Sequence, residues 1–332
     1  MSHLKNAHTS QTLPVHRSRD FVVTNGVAEG DPISFADELL MDDIYQITET
    51  AQRLPLSVAM DPETGALTVA MQSAIGSAGN AIYLDSCLTL MMSDSTTCEV
   101  IVLVEVEDGG VEEVYILPLA PMPARKDFRL VGINRDAALS RFAEMACVSF
   151  ARGTHITLAS GEQRKIEDLK VGDRVLTRDD GAQSVRWIGQ TTLRAVGEFA
   201  PVVIRKGTLH NENDLMLSPD HRVFIYQRED HLGAGRAEVL VRVRHLINGD
   251  TVYQQDGGYV DYFQVLFDEH QIIYAEGIAA ESLLIDPRTR SAIPATVDTQ
   301  RHTYRHHHDF EVTETLLPHQ NAAEVLRKAS SS

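Results

Sequence analysis

The chain has 332 residues, 43% hydrophobic and 23% charged, with a formal net charge of −17. That length points to about two domains, because single cores rarely grow past ~250 residues. The acidic balance argues against non-specific nucleic-acid binding and against docking on anionic membranes, both of which need a basic surface. No run approaches the ~18–20 apolar residues of a membrane span. The first residues, Met1 to Asn6, are polar and lack the apolar centre of a secretory signal. The expected location is the cytoplasm, or outside the cell by a route that uses no such signal. Three cysteines, Cys87, Cys98 and Cys147, are too few for a disulfide framework. Cys87 and Cys98 lie in apolar runs and are expected in a core.

Residues 1–20 are polar and without periodicity, which predicts a flexible arm. Residues 21–148 are expected to form a β-sandwich-like domain that ends in a short helix. Its strand-like runs, among them Ala66–Met71, Ala81–Met92, Glu99–Glu107 and Val111–Leu119, are separated by turn residues. Asp108-Gly-Gly110 between two of them is a hairpin signal. Ser34 and Asp37 have capping-box spacing ahead of Leu39, Leu40 and Ile44, which predicts one helical exception. Asp42, Asp43, Asp85 and Asp94 are expected to be surface and turn carboxylates, since none lies in a loop with calcium-site spacing. The closing helix is predicted over Asn134–Met145, with Asn134 or Asp136 as its cap.

The stretch Cys147–Ile156 changes the character of the chain. It carries two candidate nucleophiles, Cys147 and Ser149, ahead of a Gly153-Thr154 turn. Beyond it the sequence is β-rich to Ile285, with no good amphipathic helix. Two downstream turns supply partners for attack on a carbonyl: Ser218-Pro-Asp-His221, with a hydroxyl and an imidazole, and Asp268-Glu-His270. Residues 286–332 are expected to be a polar, His-rich tail. His302, His306, His307 and His308 have no Cys or carboxylate at ligand spacing, so no metal and no cofactor are expected. Asn321–Lys328 is predicted as one short helix.

Four blocks in order carry a resemblance. They are Ser149-Phe-Ala-Arg-Gly-Thr154, Glu167 to Leu176, Leu217-Ser-Pro-Asp-His-Arg-Val223 and Phe267 to Gly277. Over residues 149–285 the chain resembles the Hint fold of Hedgehog C-terminal domains and inteins, and more closely the bacterial Hint-domain family often fused to other domains. The resemblance implies an all-β Hint fold and self-processing rather than turnover of an external substrate. The chain's own N-terminal segment would be the substrate, and water or a small nucleophile the acceptor. Ser149 falls on the family's first residue, which attacks the carbonyl before it, so the bond cut would be Val148–Ser149. The resemblance assigns His221 to protonating the leaving amine, Ser218 to the scissile peptide or the oxyanion, and His270 to relaying the nucleophile's proton.

The departures are specific. Serine stands where the family usually has cysteine, and Cys147, two residues upstream, is a rival nucleophile. Loss of activity, leaving a rigid module that presents the N-terminal domain to a partner or an export system, is the other reading. The acidic residue that many inteins carry seven positions before the last His corresponds to Phe263. Glu281 and Ser282 stand where an intein has His-Asn, so Asn cyclisation and full splicing are not expected.

Overall fold

Alternating apolar residues and tight turns build the first half of the chain into strands. In chain order these are β1 (Thr9–Arg17), β2 (Phe21–Asn25), β3 (Ile44–Ile47), β4 (Leu54–Met60), β5 (Leu67–Val69), β6 (Ala81–Met92), β7 (Thr97–Glu107), β8 (Gly110–Pro118) and β9 (Phe128–Asn134), followed by helix α1 (Ala137–Ala146). This computed structural model describes residues 9–61, 64–227 and 237–285, together with 289, 293, 322, 323, 325 and 326. The chain divides into two units, Met1–Glu144 with Asp286–Ser291, and Met145–Ile285 with Ala292–Ser332.

In the first unit all nine strands belong to one sheet, in the order β2-β3-β9-β6-β5-β4-β1-β8-β7. An added β6–β7 pairing joins the ends of the path β6-β5-β4-β1-β8-β7, so six strands close into a barrel. Strand β6 makes this possible by its length. Its start pairs with β5 and its second half with β9, which carries β3 and β2 away from the ring. The β-rich expectation is thus met, by one curled sheet rather than the two layers of a sandwich, with Phe21, Tyr45, Leu88, Leu90, Val100 and Phe128 buried in one cluster. The Asp108-Gly109 turn joins β7 to β8 with φ of 49° and 83°, the paired left-handed geometry of a tight hairpin. Asn134 caps α1 by accepting from the N–H groups of Asp136 and Ala137, both at 3.0 Å.

Two expectations for this unit are corrected. Residues 9–17, placed in a flexible arm, form β1, which pairs with β4 and β8 and buries Leu13 and Val15. Its apolar positions are isolated among polar ones, and the pairing partners lie far along the chain. Residues 1–8 of that arm lie outside the described residues. The Ser34–Asp37 segment is a turn rather than a helix. Ile33 N–H bonds to Phe21 O at 2.9 Å and Ala36 N–H to the Asp85 carboxylate at 2.8 Å, which pins the backbone open. Asp43 likewise accepts from Val27 N–H at 2.7 Å, and Asp94 from Thr96 N–H at 2.9 Å, so these carboxylates serve turns.

Among its described residues the second unit holds fourteen strands in two sheets. They are β10 (Phe150–Ala151), β11 (His155–Thr157), β12 (Gln163–Lys165), β13 (Arg174–Thr177), β14 (Gly181–Ser184), β15 (Trp187–Arg194), β16 (Val202–Ile204), β17 (Leu215–Leu217), β18 (Arg222–Tyr226), β19 (Glu238–Arg242), β20 (Val252–Gln254), β21 (Tyr259–Leu266), β22 (Ile272–Ala275) and β23 (Ile278–Glu281). One sheet runs β15-β21-β10-β17-β16-β20. The other runs β12-β11-β22-β23-β18-β19, with β13 and β14 attached through β22. Phe150, Ile156, Val175, Leu217, Val223, Val241 and Phe263 fill the core between strands of both.

The polar-tail expectation is also corrected at its far end. Ala322, Ala323 and Leu326 are helical and buried in this same core, with Leu326 fully buried. Their helical spacing turns three small or apolar residues to one side, inside a stretch whose overall composition is polar. The His302–His308 tract lies outside the described residues. Leu326→Ala is expected to lower the stability of this unit by about 2–5 kcal/mol, read as a lower denaturant midpoint for its transition. An unpacked tail would leave the midpoint unchanged.

Candidate functional site

The site begins with strand ends that meet. Ser149 precedes β10, whose Phe150 pairs with Leu217 of β17 on one side and Phe263 of β21 on the other. Ser218 follows β17 and bonds back to the first strand, its N–H donating to Ser149 O at 2.9 Å. The Ser218–His221 turn is closed by the His221 N–H on Ser218 O at 2.9 Å and leads directly into β18. The β22–β23 hairpin brings Gln271 and Ser282 to the same end, because Ile272 pairs with Glu281 and β23 pairs with β18. Downstream, Gly153 takes φ 89°, a conformation that favours glycine. The Thr154 hydroxyl donates to Ala151 O at 2.8 Å, shaping that turn.

Ser149 is buried, and three hydrogen bonds hold its nitrogen and hydroxyl. Its N–H donates to the Ser218 hydroxyl at 3.0 Å. Its own hydroxyl accepts from the Gln264 side-chain amide at 2.9 Å and donates to Cys147 O across a long 3.5 Å. The Ser218 hydroxyl in turn donates to Cys147 O at 3.3 Å. Ser218 therefore grips the chain on both sides of Val148: the N–H after it and the carbonyl before it.

His221 is fully buried and lies between two main-chain oxygens. Nδ1 is 3.1 Å from Ser149 O and Nε2 is 3.0 Å from Glu281 O. The Phe150 ring meets it edge-on at 4.5 Å. Burial pulls its pKa from 6.5 down to about 4, against the raising effect of both carbonyls and of the Glu281 charge. The imidazole is thus neutral near pH 7, with one N–H for two acceptors.

A buried charge cluster stands beside it. Arg222 Nη1 donates to Glu281 Oε2 at 3.0 Å, and His270 Nε2 is 3.8 Å from Glu281 Oε1. Burial alone would push Glu281 upward, but Arg222 and His270 outweigh it and hold the carboxyl below its ordinary value.

Two placements, those of His221 and His270, differ from the roles that sequence resemblance implies. The group on the Ser149 nitrogen is Ser218, and His221 stands one peptide further along, on the Ser149 carbonyl. The Ser149 hydroxyl is met by Gln264 and Cys147 O, whereas His270 is aligned with Glu281. The Cys147 side chain packs among Leu266, Leu283 and Ile293, and its carbonyl is what faces Ser149 and Ser218. Gln264 went unnoticed in the sequence because it is a neutral residue one position from Phe263, where the family's acid aligns. Arg222 and Glu281 have no sequence signal of pairing, being 59 positions apart.

Among the described residues no group of three or more His, Cys, Asp or Glu could hold a metal ion, and no helix is long and apolar enough to cross a membrane. A separate pocket of about 280 Å³ is lined in part by Arg178, Phe224, Tyr226, Glu238 and Tyr274. Arg178 lies over the Phe224 ring at 4.4 Å and pairs with Glu238, so its charge is already engaged.

Residues 148–287 match the family model described as a Hint domain. No curated protein matches the chain.

The unfolded chain protonates His221 at its ordinary value while the folded unit resists until about pH 4. Stability from this residue is therefore whole above about pH 6.5 and falls as the pH drops toward 4, by roughly 3 kcal/mol in all. Denaturant midpoints measured across that window are expected to fall in the wild type and to flatten in His221→Gln. Glu281, with its lowered value, adds a further loss only below the ordinary carboxylate range.

Proposed function

With residues 148–287 forming a Hint domain, we propose that the chain processes its own backbone at Val148–Ser149. The Ser149 hydroxyl oxygen attacks the Val148 carbonyl carbon. The new C–O bond replaces the C–N bond, and the hydroxyl proton ends on the Ser149 nitrogen, turning an amide into an ester. Water or a small nucleophile then takes the acyl group and releases the segment ending at Val148. A hydroxyl is a weak nucleophile, so the surrounding groups must supply the assistance.

The observation that carries this reading is the Ser218 hydroxyl, at 3.0 Å from Ser149 N and 3.3 Å from Cys147 O. It holds the peptide to be cut at both flanks and is placed to deliver a proton to the nitrogen as that bond breaks. His221 fixes the Ser149 carbonyl and so the strand entry. His270 acts at a distance, by supporting the charge of Glu281. Cys147 contributes its carbonyl, with its thiol kept among apolar side chains. Glu281 and Ser282 offer no asparagine to cyclise, so the reading stops short of splicing.

A second reading has its own observation. Gln264 donates to the Ser149 hydroxyl at 2.9 Å, occupying a lone pair with a neutral amide where a base would help. A resting module, with the Hint fold retained as a scaffold, follows if that amide suppresses attack.

Intact-mass measurement during incubation with hydroxylamine separates these. The wild type is expected to yield fragments split between Val148 and Ser149, and Ser149→Ala to stay whole. Ser218→Ala should slow the cut by about 10–100-fold, the worth of one buried hydrogen bond of ~1.5–3 kcal/mol. Loss of cutting in Cys147→Ala with retention in Ser149→Ala would transfer the role to the thiol. Replacing the amide by a carboxylate, Gln264→Glu, is expected to speed the reaction by about 10²-fold through general-base assistance. An unchanged or slower rate would remove Gln264 from the account of Ser149 reactivity.

A further inference from the structure

The histidine at the site faces a second serine junction more directly than the first. His221 Nε2 lies 3.0 Å from Glu281 O, and Glu281 O is the carbonyl immediately before Ser282. At the other side, Nδ1 faces Ser149 O, the carbonyl after Ser149 rather than the one that serine would attack. For polarising an amide followed by a serine, the Glu281–Ser282 peptide has the better placed imidazole.

Ser282 is itself held for the part. It is fully buried, and its hydroxyl oxygen accepts from Gln271 N–H at 2.9 Å. Its N–H donates to Gln271 O at 2.8 Å. One residue of β22's leading end thus grips both the hydroxyl and the amide nitrogen of Ser282. The Gln271 N–H stabilises negative charge growing on the hydroxyl oxygen. The hydroxyl's own proton stays uncommitted to any acceptor among the described residues.

We propose that Glu281–Ser282 is a second acyl-shift junction, with Ser282 as nucleophile and His221 as the group that stabilises the oxyanion. The Ser282 oxygen attacks the Glu281 carbonyl carbon, and charge gathers on Glu281 O against the Nε2 proton of the neutral ring. The C–N bond breaks, the hydroxyl proton passes to the Ser282 nitrogen, and an ester joins Glu281 to the Ser282 oxygen. Water then cleaves that ester and leaves Glu281 as a C-terminal carboxyl and Ser282 as an N-terminal residue. The step needs no asparagine and no reaction at Ser149. Because a neutral imidazole has one N–H, the tautomer with hydrogen on Nε2 serves this junction and leaves Nδ1 with no hydrogen to give Ser149 O, while the other tautomer holds Ser149 O instead.

The test uses the full chain carrying Ser149→Ala, incubated with hydroxylamine and followed by intact mass. The expected result is a fragment ending in a Glu281 hydroxamate and a complementary one starting at Ser282. Ser282→Ala abolishes both, and His221→Gln slows their appearance by about 10²-fold, as for loss of one oxyanion donor. Ser282→Cys, which keeps the size of the side chain, makes the junction cleavable by dithiothreitol, and this variant covers the case in which Ser282→Ala fails to fold. The proposal is overturned if Ser149→Ala and Ser282→Cys both keep the wild-type melting transition yet stay at one mass. Cutting at Val148–Ser149 alone in the wild type overturns this junction and leaves the first standing. Cutting at Glu281–Ser282 alone does the reverse.

Discussion

The imidazole of His221, suspended between the carbonyls of Ser149 and Glu281, ties the first strand of the Hint domain to its last. Everything at the site is positioned relative to that bridge. Phe150 packs against the ring from the strand that follows Ser149, and Ser218 closes the turn that delivers the histidine. The bridge is inherently one-sided in charge terms. A neutral ring has a single N–H, both partners can only accept, and burial removes the protonated form that would satisfy both. One carbonyl is always polarised at the other's expense.

The residue after His221 extends the same logic into side chains. Arg222 neutralises Glu281, and His270 stands on the other carboxylate oxygen. Taking such charges out of water is costly, and truncating one member of a buried pair typically costs about 3–5 kcal/mol. What the cluster provides is placement: the Glu281 side chain is fixed by Arg222 while its main chain is fixed by His221, so the peptide to Ser282 has little freedom. The two serines therefore sit in different electrostatic settings. Ser149 has a clamp on its nitrogen and a neutral amide on its hydroxyl. Ser282 has a backbone grip on both groups and an imidazole nitrogen facing the carbonyl before it.

Local chemistry was legible from residues alone wherever a few neighbours decide the outcome. Asp108-Gly109 makes its hairpin because both positions tolerate positive φ, and Asn134 caps α1 because its side chain reaches the free N–H groups of the first turn. The Ser34 segment shows the limit of such reasoning. Its capping residues are present, and two long-range hydrogen bonds, to Phe21 and Asp85, still hold it out of a helix. Strand β1 and the buried Leu326 were invisible for a related reason. Each offers a few apolar positions in polar surroundings, and only a distant partner surface makes them count.

Sequence by itself determined the mainly β character of both halves and the change of character at Cys147. It also determined, through four collinear blocks, that Ser149, Ser218, His221 and His270 belong to one Hint domain. These features rest on periodicity, turn chemistry and short motifs, all carried by residues close together in the chain. Tertiary structure decided which atoms meet. It closed six strands of the first unit into a barrel, put Ser218 rather than His221 on the Ser149 nitrogen, moved His270 to Glu281, and introduced Gln264 and Ser282. Those outcomes depend on the register between strands far apart in sequence, where a shift of a single residue would turn each side chain to the opposite face.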